Sequence, residues 1–150
     1  MFSTAEAQRT QRNDKNKMIA ILSIKVKYVE KILNGNKKYE FRKTSFKRDV
    51  KKILVYAAKP TSAFVCFLDV GEIIEDEPEN LWRDFGEFSG LEKKEFFDYF
   101  GDRDTGVAIE IKKVEEFSRP IKPEKIFPEF MPPQSWVYVL AESFIFPQKL

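Results

Sequence analysis

The chain has 150 residues, 43% of them hydrophobic and 15% aromatic, enough for one domain with a substantial core. It contains no histidine and one cysteine, Cys66. That removes the commonest general base, any intrachain disulfide and the usual zinc ligand sets, so no metal or cofactor is expected.

Net charge is only +2, but Lys37–Lys52 carries +6 while Asp69–Asp104 carries −9. The basic stretch is either a contact for phosphates or a strand edge guarded by lysines. The acidic stretch would repel a polyanion and is expected to lie away from one. No run reaches the roughly 18 consecutive apolar residues of a membrane helix. Residues 1–17 lack the apolar core of a secretory signal. No membrane partner is therefore expected, and a cytoplasmic location is.

In chain order, residues 1–17 read as a polar tail or leader, and order begins at Met18. The run MIAILSI predicts a buried strand over 18–24. Val26, Val29, Ile32 and Leu33 recur at helical spacing, and Asn34-Gly35 ends that helix. Lys38–Lys43 predicts a strand, Thr44–Lys51 a loop, and Ile53–Ala58 a third strand. Lys59–Ser62 is a turn. Ala63–Ile74 is a long apolar strand in which Cys66 is expected to be a buried hydrophobe. Gly71 within it suggests a bulge or a close backbone approach.

Pro78 suits the first turn of a helix bearing Leu81, Trp82 and Phe85. Ser89 and Glu92 have the spacing of a capping box ahead of a helix with Leu91, Phe96, Phe97 and Phe100. That aromatic stripe reads as core packing. Val107–Phe117 is a further strand, and the five prolines of 119–133 predict an irregular or extended segment. Gln134–Ala141 closes the domain, with Phe144–Phe146 continuing or packing beside it. The order predicts an α+β fold: a small mixed β-barrel of about six strands, a helix at its cleft and a short helical insertion. The expected boundaries are 1–17 tail, 18–146 domain and 147–150 tail.

The densest chemistry lies in NGNKKYEFRK, Asn34–Lys43. In an extended segment Lys38, Glu40 and Arg42 share one face. Such charges need water, one another or a polar ligand. Lys25 and Lys37 flank the first helix and can reach one anion, and Arg42 offers a planar fork to phosphate or a base edge. Glu40 either accepts from an exocyclic amine or orients Arg42.

The string SIKVKYVEKILNGNKKYEFRK resembles the opening of an ASCH domain, a branch of the PUA-like superfamily. The matching positions are Ser23-Ile24-Lys25 and then Gly35, Lys37, Glu40 and Arg42. The closing Pro132-Pro133-Gln134-Ser135-Trp136 is similar as well. The resemblance implies a PUA-like barrel and a nucleic-acid or nucleotide site built from Ser23, Lys25, Lys37, Glu40, Arg42, Gln134, Ser135 and Trp136. Trp136 would stack on a base unless it belongs to the core. RNA or a nucleotide is the expected partner, and no protein partner is readable.

Some ASCH proteins resemble hydrolases of acylated nucleosides, with a lysine, a threonine nucleophile and a glutamate. Here Lys37 matches the lysine, Glu40 stands where the threonine would be, and Glu92 is the candidate glutamate. A carboxylate cannot serve as that hydroxyl nucleophile, which tilts the reading toward binding. Hydrolase or ribonuclease action, and a protein-interaction module, stay open as alternatives.

Overall fold

The computed structural model describes residues 18–143, so the expected tails and Phe144–Phe146 lie outside the described residues. The elements are β1 (Met18–Ile24), α1 (Val26–Leu33), β2 (Tyr39–Arg42), β3 (Val50–Ala57), β4 (Ala63–Asp76), α2 (Pro78–Phe85), α3 (Lys93–Phe100), β5 (Gly106–Ile121) and β6 (Trp136–Leu140). They form one six-stranded mixed sheet in the order β2-β5-β4-β3-β1-β6. Only β1 and β3 run parallel, joined through α1 and β2; the other pairs are antiparallel.

Strand alternation sorts the core onto two faces. Ala20, Leu22 and Ile24 of β1 pack with Val29 and Ile32 of α1, while Ile19 and Ile21 point the other way, toward Phe64 and Phe117. Phe127 and Phe130 from the proline-rich segment cover that second face. A third cluster, Phe41, Leu81, Phe96, Phe100 and Ala108, seats α2 and α3 against β2 and β5. The aromatic stripe of α3 is therefore core.

The expected barrel is not closed by backbone pairing: β2 and β6 are the two sheet edges, and no ladder joins them among the described residues. Six flat strands would hold those edges about 24 Å apart, at about 4.8 Å per step. Yet the Arg42 guanidinium at the end of β2 donates to the Ser135 carbonyl, just before β6, at 3.4 Å. Phe46, beyond β2, meets Trp136 edge to face at 5.0 Å between ring centroids. The Lys47 N–H donates to the Tyr138 hydroxyl oxygen at 2.9 Å. The sheet therefore curls until side chains span the gap.

Local expectations fare differently. The Asn34-Gly35 stop is observed, with Gly35 at φ +86°. Gly71 lies at an irregularity in the β4–β5 register, where a β-carbon would overlap the Glu110 carboxylate. Strand β5 runs past Phe117 to Ile121, with Pro120 beside a register shift where no ladder bond is needed. The Ser89–Glu92 capping box is corrected. The N-cap of α3 is Glu92, whose N–H donates to Glu95 Oε1 at 3.2 Å. Ser89 instead closes a turn, its hydroxyl donating to the Gly86 carbonyl at 2.7 Å and accepting from the Leu91 N–H.

Phe96 has no exposed surface and contacts Phe41, Trp82, Phe97 and Phe100. Truncating it leaves a cavity the helices cannot fill. Phe96→Ala is expected to lower stability by about 3–5 kcal/mol, read from urea unfolding.

Candidate functional site

Three segments converge beside α1. Gly35 turns the chain at the helix end, and Lys37 enters the interior before β2 begins. The Lys37 side chain is 1% exposed; its ammonium donates to the Ser89 carbonyl at 2.7 Å and pairs with Glu40 Oε1 at 3.3 Å. Glu40 Oε2 accepts from Arg42 Nε at 3.1 Å and Nη2 at 2.8 Å. Arg42 Nη2 also donates to the Ser23 carbonyl at 3.3 Å.

The triad carries two cations and one anion, almost wholly out of water. Burial, the largest influence on each, pulls the Lys37 ammonium below the ordinary lysine value, with Glu40 opposing it. Burial alone would raise Glu40. The adjacent Arg42 and Lys37 charges together outweigh it, so the carboxyl lies below the usual range and is ionised.

The triad lies along a cavity of about 520 Å³. Lys25, Lys27 and Tyr28 of α1 form one side, and Leu91, Glu95, Asp98 and Tyr99 the other. Glu95 clamps the two sides together. It accepts from the Tyr28 hydroxyl at 2.7 Å and from Lys27 Nζ at 2.9 Å. These hydrogen bonds, Tyr28's first, hold its carboxyl down at about 2. Desolvation, with Glu95 adding to it, raises the Tyr28 hydroxyl above its ordinary value. Ser23 lines the same cavity, while its hydroxyl oxygen is shut off from solvent with no hydrogen-bond partner among the described residues. Four cationic side chains and three carboxylates face the space, a net charge of +1.

Of the residues singled out in the sequence, Ser23, Lys25, Lys37, Glu40 and Arg42 come together at this cavity. Lys25 is exposed, whereas Lys37 is committed to Ser89 and Glu40. Lys37, not Lys38, is the lysine that joins Glu40 and Arg42. Gln134 and Ser135 are exposed outside the cavity lining, and Ser135 enters only through its carbonyl. Trp136 packs on Phe46, and Glu92 sits at the α3 N-cap, both also outside the lining.

Tyr28, Glu95 and Tyr99 escape the sequence reading because their neighbours are about 60 to 70 residues away along the chain. The acidic stretch also does not lie wholly apart from the basic one: α3 brings Glu95 and Asp98 into the cavity wall. The offsetting charges are Lys27 on Glu95 and Lys94 on Asp98, the latter at 2.6 Å. Among the described residues, no three His, Cys, Asp or Glu side chains converge as a metal site. No helix among them is long and apolar enough to cross a membrane.

Residues 4–129 match the family described as a domain of unknown function, DUF365. An "ASCH domain-containing ribonuclease" of Zymomonas mobilis is 25% identical over 131 residues, covering 83% of this chain and 86% of the relative. The crystal structure of ASCH from Zymomonas mobilis superposes with a TM-score of 0.77 at 25% identity, covering 83% of this chain and 90% of that one. A serine-to-alanine variant of that protein gives 0.78 at 24% identity, over 87% and 92% of the two chains.

Removing the carboxylate from the triad strands a buried lysine beside an arginine. Glu40→Gln is expected to lower stability at neutral pH by about 3–5 kcal/mol. Because the folded-state value of Glu40 is depressed, its stabilisation is present above the ordinary glutamate range and is lost as pH falls through the folded value. The gap between wild type and Glu40→Gln should therefore narrow below about pH 4, measured by urea unfolding at stepped pH.

Proposed function

The chain belongs to the DUF365 family and carries the ASCH fold, and on that premise we propose that its cleft binds single-stranded RNA, one nucleotide entering the cavity. The observation that carries this reading is the cavity of about 520 Å³, in which the exposed Lys25 and Lys27 and the side chains of Tyr28 and Tyr99 stand over the paired Lys37, Glu40 and Arg42. The cavity is within the size range of small-molecule sites, and its small positive charge suits a phosphodiester rather than a free polyphosphate.

Each residue then has a role that its surroundings support. Lys25 and Lys27 sit at the exposed rim, where a phosphate can be met without losing all its water. Tyr28 and Tyr99 line the cavity and offer aromatic surface to a base, which would take the place of the Lys27 ammonium 4.8 Å from one ring centre or the Lys43 ammonium 5.0 Å from the other. Arg42 and Glu40 are committed to each other, so their part is to hold the floor in place rather than to move with the ligand.

Cleavage of the bound RNA is the second reading. It is favoured by the Tyr28–Glu95 pair in the cavity wall and by the relative named as a ribonuclease. The balanced step is attack of a 2′-hydroxyl on the adjacent phosphorus, breaking the bond to the 5′-oxygen and leaving a cyclic phosphate. The 2′-hydroxyl proton passes to a base, and a proton reaches the departing oxygen. Glu95, held at about 2, is a poor base, and Tyr28, whose hydroxyl is raised above its ordinary value, stays protonated and suits donation to the departing oxygen, with water taking the 2′-hydroxyl proton.

RNA affinity is expected to fall steeply with salt, and the log–log slope should flatten by roughly 0.7 in Lys25→Ala. Tyr99→Ala should weaken binding on the order of tenfold with the salt slope unchanged. Fluorescence anisotropy with a labelled oligonucleotide checks both, and salt-independent binding would count against the reading. If RNA is also cut, Tyr28→Phe should slow product formation at least about tenfold while binding persists.

A further inference from the structure

The loop Gly86–Leu91 is a partition with a cavity on each side. Three hydrogen bonds pin it to the segment running from α1 to β2. Lys37 Nζ donates to the Ser89 carbonyl at 2.7 Å, Lys31 Nζ to the Gly90 carbonyl at 2.8 Å, and the Lys38 N–H to the Phe88 carbonyl at 2.8 Å. Gly90, at φ +69°, makes this approach possible, since a β-carbon there would stand 3.0 Å from Lys37 Cβ.

Beyond the partition lies a second cavity of about 480 Å³, lined by Lys31, Asn36, Lys38, Glu87, Phe88 and Leu91 among others. Leu91 lines both cavities. Phe88 is 38% exposed, a large ring left partly in water; among the described aromatic residues only Tyr99 is as exposed. Lys38 Nζ stands 5.3 Å from the centre of that ring and makes no hydrogen bond or ion pair among the described residues. Two lysines face one glutamate, and an exposed ring lies beside them.

We propose that this second cavity is a subsite for the nucleotide next to the one in the cleft, so that the strand crosses the partition at Leu91. The proposal rests on the RNA reading above and extends it. The base stacks on Phe88, and its phosphate draws the Lys38 ammonium off the ring. Because the loop backbone is pinned by three hydrogen bonds, the platform is in place before the strand arrives, which reduces the ordering penalty of binding.

The test compares a labelled single ribonucleotide, which can fill only the cleft, with a labelled RNA hexanucleotide by anisotropy. Wild type should bind the hexanucleotide more tightly. Phe88→Ala should weaken the hexanucleotide about tenfold and leave the single ribonucleotide unchanged. Lys38→Ala should flatten the salt slope for the hexanucleotide by roughly 0.7 and leave that for the single ribonucleotide unaltered. Both side chains are exposed, so the variants should unfold in urea as wild type does.

Equal affinity for the two lengths, or variants that leave hexanucleotide binding unchanged, would overturn the subsite while the cleft reading stands. Failure of wild type to bind either RNA would overturn both.

Discussion

The buried Lys37–Glu40–Arg42 triad is the constraint on which the rest of this structure depends. Taking these charges out of water is unfavourable by several kcal/mol per ion, and only mutual pairing makes it tolerable. Each partner also spends its remaining hydrogen bonds on a different part of the fold. Lys37 holds the Ser89 carbonyl, and Arg42 holds the carbonyls of Ser23 and Ser135. One edge of the sheet, the end of β1, the approach to β6 and the helical insertion thus meet at a single carboxylate. The curl of the sheet, the partition loop and the floor of the cleft share that cause.

In this arrangement the floor of the cleft is fixed by its own ion pairs and the rim is exposed. The floor charges satisfy one another before any ligand arrives, so they need no reorganisation on binding. The rim lysines, Lys25 and Lys27, keep most of their water. The Glu95 clamp sits between these extremes, tying α1 to α3 through Tyr28 and Lys27 while leaving its own edge in solvent. A net charge near +1 in the cavity favours one phosphodiester over a dense polyanion.

Much of the fold was legible because its signals are local. The run MIAILSI, the helical spacing from Val26 to Leu33 and the Asn34-Gly35 stop each depend on a few neighbouring residues. The Ser23–Arg42 half of the site was legible because a short motif carries it. What failed was set by distance along the chain. Ser89 has the spacing of a cap relative to Glu92, but tertiary packing makes it a turn residue whose carbonyl serves Lys37. Lys38 was placed with Glu40 by strict alternation, yet β2 starts only at Tyr39, so Lys37 turns inward instead. Tyr28, Glu95 and Tyr99 meet only after the insertion folds back. Closure of the barrel could not be read either, since side chains rather than a ladder span its edges.

The central claim is that the triad-floored cleft is where RNA binds. The most direct measurement is a backbone amide titration by nuclear magnetic resonance with a short single-stranded RNA at low salt. The account predicts that the shifts concentrate at Ser23–Tyr28, Glu40–Arg42 and Leu91–Tyr99. Shifts gathered instead around Tyr56, Lys122 and Phe130 on the opposite face, or none at saturating RNA, would contradict it.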